Sequence, residues 1–340
     1  MIRYVVVGLA VALVVTIGIL LLLRPEPILI DEAELLERDE REFISEYHGY
    51  LVQDYDIDYR VFTTDSERLI LEEAVDLFER IGVGSQSEWS HGLLLVINPA
   101  LDQVRLEVGY SLEGTFPDAF VAYIEQRQMV PFFADGRVAD GILATTELIV
   151  DRAQRAAERD GFGADEIWMI GSGGAGAQTD ARIGEGYEAP SGPVEDGDRL
   201  FSPAGSPEDA LSAYFRAMDA RNANPNLPIY SPATQAMLDE RTVTPAQMDM
   251  VVRTYRDCTA EPARYDQTGQ LAVIRYPPAE RRCAPLFFVK QGEPWMLDLA
   301  SMSRAVRFGR TNAWHRSEAG FGEYGFAFED WGFDGNGFPR

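Results

Sequence analysis

The first two dozen residues constrain this chain more than any other stretch. Tyr4 to Leu23 is an apolar run of 20 residues without a charge, preceded by Arg3 and ended by Arg24-Pro25. As a helix it spans about 30 Å, the hydrocarbon thickness of a bilayer. It has no polar face, which a helix on a soluble core would need. A secretory signal carries a shorter apolar core of about 7–15 residues and a small-residue cleavage site. No A-x-A pattern follows Leu23. Residues 1–24 are therefore expected to be an uncleaved transmembrane anchor. Arg3 stands on one side, and Arg24, Arg38 and Arg41 on the other. That count does not favour export, so charge alone leaves the orientation open.

A length of 340 residues suggests about two domains beyond such an anchor. Thirty basic residues oppose 55 acidic ones, a net charge of −25. A surface this negative repels phosphate backbones, which argues against nucleic-acid binding. The same repulsion holds for anionic lipid headgroups. His48, His91 and His315 match no zinc spacing, and two cysteines exclude a four-cysteine zinc site.

Residues 33–52 place Leu36, Phe43, Ile44, Tyr47 and Leu51 at helical spacing. Residues 57–63 alternate and read as a strand. Asp65-Ser66 offers a cap for a helix with Leu69, Ile70, Ala74, Val75, Phe78 and Ile81 on one face. Gly92 to Asn98 is a continuous apolar run expected to be a central strand, paired as a hairpin with 103–108. Helices are expected at 117–129 and 138–160. The order of elements predicts an α/β fold, a three-layer α/β/α sandwich over 25–170.

Residues 171–205, rich in Gly, Pro, Ser and acids, read as a flexible linker. Gly171-Ser-Gly-Gly-Ala-Gly176 formally matches G-x-G-x-x-G, but a poor helix former follows it, so a dinucleotide site is not expected. A smaller α+β domain is expected at 206–303. Ser206-Pro-Glu-Asp opens its first helix, 245–258 form another, and strands follow at 270–276, 285–290 and 295–299. Residues 304–340 end in an aromatic and Gly-rich stretch. Two readings stay open for it: a flexible tail, or rings docked on a neighbour. Two separately melting units are the expectation for the body.

Several segments resemble the TPM domain family. They are Asp56-Ile-Asp-Tyr-Arg-Val-Phe-Thr-Thr64, Gly92-Leu-Leu-Leu-Val-Ile97, Val108-Gly-Tyr-Ser-Leu-Glu-Gly114, Pro117-Asp118, Met129-Val-Pro131-Phe-Phe and Asp140-Gly-Ile142. The resemblance covers about residues 40–160. It implies an α/β/α sandwich and an envelope or thylakoid setting. Some members are described as acid phosphatases, some bind divalent cations, and others have no established activity. The second domain resembles more loosely the cone-shaped fold of the nuclear transport factor two superfamily, through Pro207 to Phe215 and Trp295 to Leu299.

Hard cations take several oxygen ligands, so Asp56, Asp58, Glu113 and Asp118 are candidates for one Ca²⁺ or Mg²⁺. The metal set expected is Asp58, Glu113 and Asp118, near an open sheet's ligand crevice if strand C-termini point there. Each acid has a plainer reading. Asp118, after Thr115 and Pro117, fits a helix start. Glu113 fits its own turn, and Asp58 an ion pair with Arg60. Arg60 and His91 are the candidate substrate contacts, for phosphate and as a proton donor; an ion pair and a surface turn are their plainer roles. Two departures from the family pattern weigh against an enzyme. Ser90-His91-Gly92 replaces an Asp-Asn-Gly, and Ser111 replaces a turn glycine. Catalytic residues are not assigned.

Cys258 and Cys283 are expected to form a disulfide if the domain is exported, and to be free thiols if it is cytosolic. The resemblance and this pair together favour a periplasmic body on a bacterial inner-membrane anchor. The function expected is binding, assembly or quality control at the membrane surface, with an envelope protein as partner. The alternative is a metal-dependent acid phosphatase acting on phosphate monoesters.

Overall fold

The computed structural model describes residues 27–158, 179–187, 205–309 and 311–340. The apolar run and the G-x-G-x-x-G segment lie outside these residues. Among the described residues no helix is long and apolar enough to cross a membrane.

The first half is built on a five-stranded sheet in chain order, β1 (Leu29–Asp31), β2 (Asp58–Thr63), β3 (Gly92–Asn98), β4 (Gln103–Val108) and β5 (Thr179–Asp180). β1, β2 and β3 run parallel; β4 and β5 join antiparallel. α1 (Arg38–Tyr55), α3 (Asp118–Ile124) and α5 (Val138–Ala157) share a core with one face, through Ile44, Tyr59, Leu95, Phe120 and Ile149. α2 (Ile70–Arg80) covers the other face, through Ile70, Leu77, Phe62, Leu94 and Val96. Helices on both faces give the expected α/β/α sandwich.

Three local expectations change. α2 begins at Ile70 with no side-chain cap. Ser66 instead donates its hydroxyl to the Glu73 carboxylate at 2.6 Å. Leu69 and Val75 of the expected apolar face are exposed. The helix over 117–129 is also not uniform. Glu125–Met129 forms one π turn between α3 and α4 (Val130–Ala134). Finally, residues 179–187, inside the expected linker, pack on the sheet: β5 pairs with β4 and Ala181 is buried in the first core.

The second half is α+β. A four-stranded antiparallel sheet, β6 (Arg264–Tyr265), β7 (Leu271–Ile274), β8 (Leu286–Lys290) and β9 (Trp295–Leu297), carries helices on one face. α6 (Pro207–Asp219) starts at Ser206, whose hydroxyl accepts from the Asp209 N–H. α7 (Pro232–Asp239) and α8 (Pro245–Arg256) start in the same way, on Ser231 and Thr244. Ala210, Tyr214, Met248, Ile274 and Phe288 form the inner core. The other face holds Val273 and Phe287 under Trp314, Phe321, Tyr324 and Phe328. The C-terminal rings are therefore docked on the sheet. α9 (Leu299–Ala305) and the hairpin β10–β11 (Val306–Phe308, Trp314–Arg316) lead into them. Cys258, two residues past α8, is bonded to Cys283, three residues before β8.

α8 is where the two halves meet. Its Ala246 lies in the first core, and Met250 packs against that core. Tyr123 donates to Asp249 at 2.8 Å and Thr244 to Gln128 at 2.5 Å, while Arg253 stands 3.6 Å from Asp151.

Candidate functional site

A groove of about 740 Å³ opens at the end of the first sheet where β2 and β3 begin. Its walls include Gln53, Asp56, Trp89, His91, Thr115 and Ala156. Its shape depends on the loop from Gly82 to His91, which two carboxylates hold.

Asp58 and Arg60, two residues apart on β2, point to one face and are both fully buried. Arg60 donates to both oxygens of Asp58, at 2.9 and 2.7 Å. It donates further to the carbonyls of Ile81 and Gly82 and to Ser85. Asp58 also accepts the N–H groups of Gly84 and Gln86. A buried fork of this kind is tolerable only when every lone pair and proton has a partner. His48, buried on α1, contacts the Tyr59 carbonyl at 2.7 Å and Gln86 at 3.3 Å.

Asp56 ends α1 in the left-handed conformation. Its carboxylate accepts from Glu88 N–H, Trp89 N–H and the Ser87 hydroxyl. Desolvation pushes its pKa up, but the Glu88, Ser87 and Trp89 bonds and nearby His91 outweigh it and hold the group below the usual range. His91 Nδ1 lies 3.1 Å from the Asp56 carbonyl and 3.3 Å from its carboxylate. A Cβ at Gly92 would stand 2.8 Å from the Phe78 ring and 3.1 Å from the Gly84 nitrogen, so any side chain there would force its neighbours to shift. Ser90 takes φ 57°, the left-handed conformation that Asn adopts more readily. Ser111 has no such constraint; it sits in a 3₁₀ turn and donates to the Ser90 carbonyl at 3.0 Å.

Asp58, Glu113 and Asp118 are not brought together as ligands. Among the described residues no three His, Cys, Asp or Glu side chains gather where a metal ion could be held. Asp58 is buried with Arg60, whereas Glu113 and Asp118 are exposed. Asp118 stands in the first turn of α3, behind Pro117, and makes no capping bond. There its charge complements the helix dipole. The turn after β4 also lies at the opposite end from the strand C-termini. β4 runs against β3 with Val108 beside Leu93, so its exit meets the beginnings of β2 and β3. An open parallel sheet takes ligands at the other end. Arg60 is inside the fold and touches no solvent.

Spacing did not single out His48, Gln86 and Trp89. The signal for His48 was available: it lies four residues after Ile44 on the buried stripe of α1. Trp89 has no sequence partner that marks it, yet it is 72% exposed, and Tyr110 on the next loop is 89% exposed.

Residues 29–152 match the family model described as the TPM domain. The solution NMR structure of the N-terminal domain of a protein from P. gingivalis aligns at 26% identity, over 42% of this chain and 90% of that one, with a TM-score of 0.36. No curated protein matches. The family match ends inside α5, so the likeness of 206–303 to the nuclear transport factor two superfamily stays an expectation. The segment from β1 through most of α5, which supplies most of the groove's walls, is a TPM domain.

Proposed function

We propose that the chain is a single-pass protein of the bacterial inner membrane, anchored by residues 4–23, with its body in the periplasm. There the TPM domain binds or helps assemble an envelope protein through the groove beside Trp89. One observation carries the binding role: Asp56 on the groove wall and Asp58 buried behind it are already used to hold the loop that shapes that wall. Asp56 accepts three bonds from residues 87–89, and Asp58 is enclosed by Arg60. A cation at Asp58 would have to displace a buried guanidinium that is held by five bonds. A preformed groove walled by Gln53, Thr115 and Ala156 suits a segment of a protein partner, since a site already shaped costs little to order on binding. The Cys258–Cys283 bond supports an oxidising compartment.

The test places a photo-reactive residue at Gln53 of the full chain in living cells. A discrete adduct in the envelope fraction, lost when Ala156→Arg fills the groove, is the expected result. Absence of any adduct, together with phosphate-ester hydrolysis that Asp56→Asn abolishes, would favour the phosphatase instead.

A further inference from the structure

We propose that the TPM domain lies on the bilayer surface and inserts Trp89 and Tyr110 into the lipid headgroup layer. The inference rests on the anchor reading above.

The first argument is reach. Only Arg24 to Ile28 stand between the apolar run and β1. Five residues extend at most about 17 Å. The headgroup layer itself takes roughly 5–7 Å of that. A domain whose first strand begins so close to lipid has little room to stand away from it.

The second argument is direction. Leu29 pairs with Val61 and Asp31 with Thr63, in parallel. The chain therefore reaches β1 from the end of the sheet where β2 and β3 start. The loops bearing the two rings are at that same end. The Asp58 N–H donates to the His91 carbonyl at 2.8 Å, and the Gly109 N–H to the Gly92 carbonyl at 2.8 Å. Ser111 ties one loop to the other through the Ser90 carbonyl. Strands spaced about 4.8 Å apart put β4 only about 14 Å from β1 across the sheet.

The third argument is chemistry. Trp and Tyr concentrate at membrane interfaces because each joins an apolar ring to a polar tip. Trp89 and Tyr110 are more exposed than any other large apolar side chain among the described residues. Exposed Glu88 and Glu113 flank them, so the surface suits zwitterionic lipid and disfavours anionic lipid.

The experiment uses the full chain in phosphatidylcholine vesicles with brominated acyl chains. Tryptophan emission is compared between wild type and Trp89→Phe, and an alkaline wash reports anchoring separately. The expected result is loss of the Trp89 share of the emission, weakened by Tyr110→Asp and by mixing in phosphatidylglycerol at low salt. Equal quenching of wild type and Trp89→Phe overturns the docking. If the wash retains the chain in that case, the anchor stands without the docking. A chain that washes off but still shows quenched Trp89 keeps the docking and loses the anchor. A chain that washes off unquenched loses both.

Discussion

Asp58 and Arg60 occupy alternate positions of one strand, a spacing at which side chains share a face. Here that face is under α2, without solvent, and the pair has become a bracket for the loop that leaves α2. Removing one member strands the other charge in the core. Asp58→Ala is therefore expected to cost about 3–5 kcal/mol in denaturant unfolding. Replacing both residues by apolar ones of like volume should cost far less. A single variant within about 1 kcal/mol of wild type would show the pair to be solvated. Sequence reading ranks an ion pair as the plainer role of Arg60 but does not place it inside. The run Asp-Tyr-Arg-Val-Phe-Thr alternates as a half-solvated strand does, yet all six residues of β2 are buried. Alternation reports that two faces differ, and it cannot tell a wet face from a face lined by satisfied polar groups.

At the scale of elements, the apolar runs were legible because period is a local property. The π turn was not, because it arises from what the turn must reach. Glu125, inside that turn, is buried and accepts the Leu106 N–H at 3.2 Å and the Thr179 hydroxyl at 2.5 Å. It thus caps β4 just beyond the short pairing with β5. Burial pushes its pKa up to about 7, against the lowering effect of those two bonds and of Arg105. The folded state then holds a proton that the unfolded chain releases at lower pH. Stability should fall as pH rises from about 4.5 to about 7, by at most about 3 kcal/mol. Glu125→Gln should flatten that part of a stability–pH profile, and an unchanged slope would assign it to other groups. The packing of 179–187 was equally hidden: Gly, Pro and acids signal a lack of periodicity, not a lack of partners.

Across the whole molecule, composition suggested two bodies on a tether, and the described residues join them through α8. Ala246 and Met250 belong with the first core while Met248 belongs with the second. Asp249 links Tyr123 of the first half to Arg221 of the second. Contacts of this density predict one coupled melting transition for the body instead of the two expected from composition. Met250→Asp, which places a charge against the first core, should split it into two in calorimetry. Two transitions already present in the wild type would show that the halves melt independently. The candidate ligand set is not gathered for a reason of the same scale: Asp58 starts β2 at the end where the turn after β4 lies, yet it faces inward onto Arg60 while Glu113 and Asp118 face solvent.

The C-terminal rings close the outer face of the second sheet, and Arg275 shows what that closure entails. Its buried guanidinium reaches Glu261 nearby in the chain, but also the Ala327 carbonyl and Asp330, with Trp331 stacked 4.4 Å away. Half of this clamp is synthesised some fifty residues after the arginine. Until then Phe287 has no cover and the cation lacks its second carboxylate. A growing chain carries that apolar, unfinished surface for the interval, so this half closes only once residues 314–331 are made.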